Sequence, residues 1–345
     1  RQIVLVDVLS ALNEGYEENL VVEAARVVCG KWAPRDYGDR YLNGMTLMQG
    51  FDKSQNIVSI KTLRKVGIRA LMDNMNKIGN GFIIPDNLTS ALGTMEGTPL
   101  QVAESYAIFA NGGYVVKPTM VLKVVDKFKS TLYESNPKIE SKFDSLNISL
   151  MTNMLQNSVK QGTSRRAKVI VDGKAIPQGG KTGTTNKSRT VWYAGFTPDL
   201  VTTVYLGYDN NDPLIKATGG GTVAPIWKNY YKELIEKGIY TPSKFDFLEN
   251  HVQNDEIFYQ NLDPLTGMMT TTKPTKSFLL RRGRMQVETD KKYSNGIAGV
   301  LGYSETPEIK TDTNIVEKVK SIFEPKKIEN NTQEKKGFFN KFFNF

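Results

Sequence analysis

Gly179-Gly180-Lys181-Thr182-Gly183-Thr184-Thr185 is the stretch on which the reading of this chain turns. Two runs of β-formers follow it, Thr190 to Phe196 and Val201 to Tyr208, joined by Thr197-Pro198-Asp199-Leu200, and that spacing predicts an antiparallel hairpin. If the Lys181 segment is a strand too, its side chains alternate, with Lys181 and Gly183 on one side and Thr182 and Thr184 on the other. The edge of such a strand can hold a peptide by backbone pairing, and Gly183 lets that backbone come close. The Lys181 ammonium attracts a carboxylate, and a neighbouring threonine hydroxyl can bond the same anion. The Thr184 N–H can serve as half of an oxyanion hole. Together these parts suit acyl transfer.

The same lysine invites a phosphate-binding reading. Ala175-Ile176-Pro177-Gln178-Gly179-Gly180-Lys181-Thr182 misses a P-loop by one residue, since glycine is required where Ala175 stands. A P-loop also runs straight into a helix. Here Thr190-Val191-Trp192-Tyr193 follows, with β-formers and no helical period. The nucleotide reading falls on that context.

Composition narrows the chemistry further. The 345 residues are 39% apolar, enough for a sizeable core in one or two domains. The chain opens on Arg1 with no signal peptide and no apolar run of about 18 residues, so any membrane anchor would have to precede Arg1. A net charge of +9 favours anionic surroundings such as lipid headgroups. No nucleic-acid partner is expected, because the chain shows no basic helix, aromatic-basic RNA motif or zinc-finger spacing. Cys29 is the only cysteine, which excludes an internal disulfide and a cysteine zinc site; it reads as a small core residue. His251, the only histidine, lies in a polar stretch and reads as a surface residue. Nucleophilic catalysis here would take lysine as its base, and no metal or organic cofactor is called for.

Local patterns supply the frame. Val4 to Leu12 is apolar and closes at Asn13-Glu14-Gly15 as a helix would. Trp32 to Asn43 reads as a loop, and Met45 to Phe51 and Val58 to Ile78 show helical spacing before the loop Gly79 to Asn87. Thr98-Pro99 reads as a cap and first turn, with the helix stopping at Asn111-Gly112-Gly113. Leu150 to Val159 predicts another helix, ended by Gly162, and Pro225 to Ile235 a later one after the loop Gly219-Gly220-Gly221. Helices first and antiparallel strands later predict an α+β layer structure. From about Thr311 the composition reads as disordered. The terminal cluster Phe338, Phe339, Phe342, Phe343 and Phe345, near Lys335, Lys336 and Lys341, reads as a sticky tail or as an interfacial helix on an anionic membrane.

Ser54-Gln55-Asn56 is the second candidate for chemistry. A hydroxyl at Ser54 could relay a proton to a leaving amine, and Asn56 could hold substrate and a catalytic lysine. A second Ser-x-Asn, Ser145-Leu146-Asn147, falls in a polar stretch and reads as loop, whereas Ser54 sits between helical segments.

With these residues in place the chain resembles the transpeptidase domain of class A penicillin-binding proteins, the bifunctional makers of bacterial peptidoglycan. The segments that carry the resemblance, in the family's order, are Trp32 to Gly38, Ser54-Gln55-Asn56, Thr98 to Gly113, Gln161-Gly162-Thr163, Gly179 to Thr185, Trp192 to Pro198, and Thr218 to Trp227. The resemblance implies the penicillin-binding transpeptidase and serine β-lactamase-like fold, an antiparallel sheet flanked by helices. It implies that Ser54, Asn56 and Lys181 are catalytic and that Thr182, Gly183, Thr184 and Thr185 bind substrate. The implied reaction is serine-type D-Ala-D-Ala transpeptidation, with peptidoglycan stem peptides as partners and β-lactams as inhibitors. The implied place is the bacterial cell membrane, with the domain facing the periplasm or extracytoplasmic space. Residues 1–238 would be the transpeptidase domain, 239–310 the family's C-terminal extension, and 311–345 the basic, Phe-rich tail.

The chain departs from the family at its front. The family carries Ser-x-x-Lys at the start of the helix leading into the segment like Leu9 to Gly15. Counting back from Gly15 puts Arg1 and Val4 on those two positions. The chain's one Ser-x-x-Lys, Ser135-Asn136-Pro137-Lys138, follows Ser54 and contains proline, so it reads as coincidence. A truncated chain is expected, without the strands that the family places before the serine helix and with an exposed sheet edge. Two alternatives stay beside the transpeptidase reading: a non-catalytic remnant that binds stem peptides, and a β-lactamase or DD-carboxypeptidase on the same fold.

Overall fold

A computed structural model describes residues 4–28, 32–36, 44–137 and 139–283. Cys29, residues 37–43 of the expected loop, Lys138 and the Phe-rich tail lie outside the described residues.

The apolar front folds as expected. Helix α1 (Val4–Asn13) buries Leu5, Leu9 and Leu12 completely and closes at Gly15, whose φ of 83° suits glycine. Two expected helical runs are cut differently. Met45 and Thr46 form strand β2 (Met45–Thr46), antiparallel to β1 (Val21–Val22), and helix α2 (Leu47–Asp52) starts only afterwards. The reason is the extended backbone at Thr46 (φ −65°, ψ 153°), which lets its hydroxyl cap α2 by accepting the Gln49 N–H at 3.2 Å. The second run splits into α3 (Asn56–Val66) and α4 (Ile68–Ile78) because Gly67 takes φ 92°, ψ 142°, a conformation foreign to a helix.

Helix α5 (Pro99–Ala110) begins and ends where its caps predict, with a full capping box between Thr98 and Gln101. Helix α6 (Ser145–Gln161) starts earlier than its apolar run suggested. Ser145 is therefore helical rather than loop, since Asp144 caps the helix by accepting the Asn147 N–H at 2.9 Å. Short ladders fill the surface between and beyond: β3 (Tyr114–Val116) with β6 (Ile139–Ser141), β4 (Lys123–Val125) with β5 (Thr131–Glu134), and β7 (Ile170–Val171) with β8 (Lys174–Ala175).

The motif stretch is itself a strand, β9 (Gly179–Thr184). It pairs antiparallel with β10 (Thr190–Phe196), which pairs antiparallel with β11 (Val201–Gly207). Period-2 alternation along β10 sorts the core. Trp192, Ala194 and Phe196 join the layer that holds α5 and α6, while Val191 and Tyr193 join Trp227 and Tyr231 of α7 (Ala224–Glu236). Trp227 stacks on Tyr231 at 3.9 Å between centroids. The result is helix, sheet, helix, an α+β architecture. Among the described residues β11 pairs with β10 alone, and Tyr205 and Leu206 near its end are exposed.

Beyond α7 the chain adds α8 (Asp246–Gln253) and the pair β12 (Ile257–Leu262) with β13 (Lys276–Arg281). Phe278, Leu279 and Leu280 are fully buried in the same core as α1. The Leu279 N–H donates to Glu18 at 3.0 Å, and Arg281 pairs with Glu17. Among the described residues no helix is long and apolar enough to cross a membrane.

Candidate active site

Ser54 is presented by a tight turn. α2 ends at Asp52 and α3 begins at Asn56, so three residues reverse the chain. The turn closes through the Ser54 N–H to Phe51 O (3.0 Å) and the Gln55 N–H to Gly50 O (2.9 Å), with Ser54 at φ 52°, in the left-handed region. Asp36 anchors the start of α3. Its Oδ1 accepts the N–H groups of Asn56 (2.5 Å) and Ile57 (3.1 Å), a charge suited to a helix N-terminus. The Asn56 amide donates to the Arg35 carbonyl at 2.6 Å, so this side chain is tied to the preceding loop.

Strand β9 brings Lys181 against that turn. The side chain is 2% exposed, its Nζ donates to Ser54 Oγ, and it lies 5.4 Å from the centre of the Phe51 ring. Ser54 Oγ is also 3.4 Å from Thr163 Oγ1, which is 2.8 Å from Thr182 Oγ1. Alternation separates Lys181 from Thr182 at their Cβ atoms, yet their polar ends join one network because Thr163 bridges them. Thr163 is held by its own N–H to Asp52 O at 3.0 Å, just after α6 stops at Gly162. Four residues from three segments therefore converge: Ser54, Thr163, Lys181 and Thr182.

The other motif residues are spent within the fold. Thr184 Oγ1 accepts the Gly219 N–H at 3.0 Å. Gly219 sits so close to β9 that a Cβ there would be 2.6 Å from Gly183 O, and only glycine fits. Thr185 closes the β9–β10 turn, its N–H donating to Thr190 O at 3.0 Å and its hydroxyl accepting the Thr190 N–H at 2.8 Å. Gly183 and Thr184 thus line β9 beside Lys181, with the Thr184 hydroxyl turned to the glycine-rich segment.

One acidic residue tunes the site that motif reading had passed over. Asp52 is 2% exposed, and burial pushes its carboxyl up to about 7 against the pull of Lys276, Lys181 and Lys53. Asn157 of α6 donates to its Oδ2 at 3.0 Å. Near neutrality Asp52 is only partly ionised, so the three lysines leave the site positive and attractive to a carboxylate. Among the described residues no group of three or more His, Cys, Asp or Glu side chains is arranged as metal ligands.

The family comparison follows from this geometry. The model of the penicillin binding protein transpeptidase domain matches residues 6–232, a span that includes the Ser54 turn, Thr163 and the whole three-stranded sheet. The chain belongs to the penicillin-binding protein transpeptidase family. It is 35% identical to Penicillin-binding protein 1A of Neisseria gonorrhoeae over 237 residues, 65% of this chain and 29% of that protein. It is 30% identical to Penicillin-binding protein 1A of Pseudomonas aeruginosa over 279 residues, 64% of this chain and 34% of that one. The chain thus spans about a third of the length of these relatives. Among solved structures it resembles Penicillin-Binding Protein 1A from Haemophilus influenzae, with a TM-score of 0.69 at 24% identity, over 84% of this chain and 48% of that one. It also resembles the PonA1 protein from Mycobacterium tuberculosis in complex with penicillin V, with a TM-score of 0.62 at 19% identity, over 68% of each chain. At these identities the likeness establishes the fold. The resemblance to class A proteins and the α+β transpeptidase fold are both borne out.

Among the described residues no Ser-x-x-Lys stands beside Lys181. Val4, counted onto the motif lysine, begins α1. Ser135 follows β5 on an exposed hairpin, its N–H donating to Leu122 O at 2.8 Å.

Proposed function

We propose that this domain belongs to a protein that crosslinks peptidoglycan by serine-type D-Ala-D-Ala transpeptidation on the extracytoplasmic face of the bacterial cell membrane, and that this chain supplies the substrate-holding wall of that site. The observation that carries the reading is the network joining Lys181, Ser54, Thr163 and Thr182. A stem peptide lies along β9 and pairs with its backbone beside Gly183. Its terminal carboxylate meets the Lys181 ammonium and the Thr182 hydroxyl, a charge-assisted arrangement. Ser54, hydrogen-bonded to Lys181, is the relay that carries a proton to the departing D-Ala amine. Thr163 fixes the Ser54 hydroxyl, and the positive field of Lys53, Lys181 and Lys276 draws the anion in. A β-lactam carries a carboxylate of the same kind and takes the same wall.

Acylation needs an attacking serine, and this chain has no Ser-x-x-Lys ahead of Ser54. In subtilisin the loss of the nucleophile alone cuts turnover by about 10⁶-fold, and a loss of that order is expected here. The chain by itself is a binder of D-Ala-D-Ala ends rather than an active crosslinker. Calorimetric titration with a D-Ala-D-Ala-terminated pentapeptide tests this. Binding is expected, and Lys181→Ala weakens it by about tenfold, the worth of one hydrogen bond to a charged group. Equal affinity for wild type and Lys181→Ala would remove β9 as the carboxylate site.

A further inference from the structure

A second group of reactive side chains lies at the opposite end of α6, roughly 24 Å by helix rise from Gln161, where the helix stops. Ser145 is the first residue of α6, and His251 sits on α8 with its Nε2 2.8 Å from Ser145 Oγ. The other ring nitrogen, Nδ1, is in close contact with Glu256 Oε2. A carboxylate at Glu256 can only accept, and a neutral ring paired with it holds its proton on Nδ1 and offers Nε2 as acceptor to the Ser145 hydroxyl. His251 is thus not the free surface residue its polar surroundings suggested; its side chain is 18% exposed and bonded at both nitrogens.

Backbone structure holds the three in place. Asp255, at φ 59°, turns the chain after α8, the Glu256 N–H donates to His251 O at 3.0 Å, and the Arg282 N–H donates to Glu256 O at 2.8 Å. The carboxylate is thereby returned to the ring. The first N–H groups of a helix lack intrahelical partners. In α6 the Asp144 side chain takes that of Asn147 (2.9 Å) and its carbonyl that of Ile148 (3.0 Å), while the N–H groups of Ser145 and Leu146 have no partner among the described residues. They stand beside the Ser145 hydroxyl, at the positive end of the helix, where charge develops on an attacked carbonyl oxygen.

We propose that Ser145, His251 and Glu256 form a second acyl-transfer site, independent of Lys181, that acts on esters of short carboxylic acids. The order hydroxyl, Nε2, Nδ1, carboxylate is that of nucleophile, general base and orienting acid, a constellation recognised by geometry and not by sequence position. Ser145 Oγ attacks the ester carbonyl as its proton passes to His251 Nε2. The C–O bond to the alcohol then breaks, and the alkoxide takes that proton. Water, deprotonated by His251, attacks the acyl-Ser145 ester, releases the acid and restores the serine. Glu256 acts through the ring and is a positioning residue. Ser145 is partly exposed and preceded by the exposed Asp144, a polar setting that suits a short acyl group on a polar alcohol.

The test uses the full chain, a fluorophosphonate probe with peptide mapping, and p-nitrophenyl acetate hydrolysis. The expected label is on Ser145. Ser145→Ala and His251→Gln each lower hydrolysis by about 10²-fold, the usual share of general-base catalysis. Ser135→Ala changes nothing. Glu256→Gln lowers kcat with KM and melting temperature retained. Asp144 still caps α6 in Ser145→Ala, so that variant keeps its fold. A probe that leaves Ser145 unlabelled overturns the proposal and makes the group a tie between α6 and α8. Hydrolysis that survives Ser145→Ala but not His251→Gln overturns it as well, since the imidazole would then act alone.

Discussion

Thr184 shows a motif side chain held by the fold. Its hydroxyl accepts the Gly219 N–H and so fixes the glycine-rich segment over β9. Thr184→Val keeps the shape and strands that donor, and a buried unmet donor costs about 1–3 kcal/mol. Urea unfolding should show a loss in this range, with the m-value unchanged. Lys181 and Ser54 were legible from sequence because each stands in a short motif whose chemistry needs that residue type. Thr163 and Asp52 were not. Thr163 acquires its role only when the end of α6 meets β9. Asp52 acquires its charge state only from burial beside Lys276, which lies far along the chain. The signals were there in weak form, Gly162 as a helix stop and an acid two residues before Ser54, but neither specifies a partner. Thr185 shows the converse: a motif position whose hydrogen bonds to Thr190 and Ser188 close a turn.

At the scale of elements, sequence signals worked where they were local. The capping box at Thr98 and the glycine pair after Asn111 bound α5 to the residue. Thr98→Ala removes one half of that box and should cost about 1 kcal/mol, seen as a fall of roughly 2–4 °C in melting temperature for a domain near this size. An unchanged melting curve would mean that α5 is held by packing alone. Signals failed where a tertiary partner decided the outcome. Met45 and Thr46 carry helical spacing, yet β1 claims them as a strand. Gly67 within an otherwise helical pattern gave no sequence reason to prefer a break over a tolerated glycine; its φ of 92° settles the matter. The hairpin of β10 and β11 was legible in full, since apolar alternation with a four-residue connection leaves few other folds.

The whole molecule should carry its carboxylates into its pH response. Burial pushes Asp52 up to about 7 and Glu18 up to about 8, and it raises Asp7 well above the usual range. In the unfolded chain such groups ionise near pH ~4. Between those values the folded state binds more protons than the unfolded one, so stability falls as pH rises from about 4 to about 8 and levels off beyond. Melting temperatures across that window should decline, and Asp52→Asn with Glu18→Gln should flatten the slope. A curve that rises toward pH 8 would show these carboxyls to be ionised in the fold. The central proposal assigns Ser54 as the proton relay of a carboxylate-binding wall, with no Ser-x-x-Lys serine beside it among the described residues. The most direct test is incubation of the chain with a fluorescent penicillin, followed by denaturing electrophoresis and peptide mapping. The account predicts that the peptide containing Ser54 carries no penicilloyl group; an adduct mapped to Ser54 would contradict it.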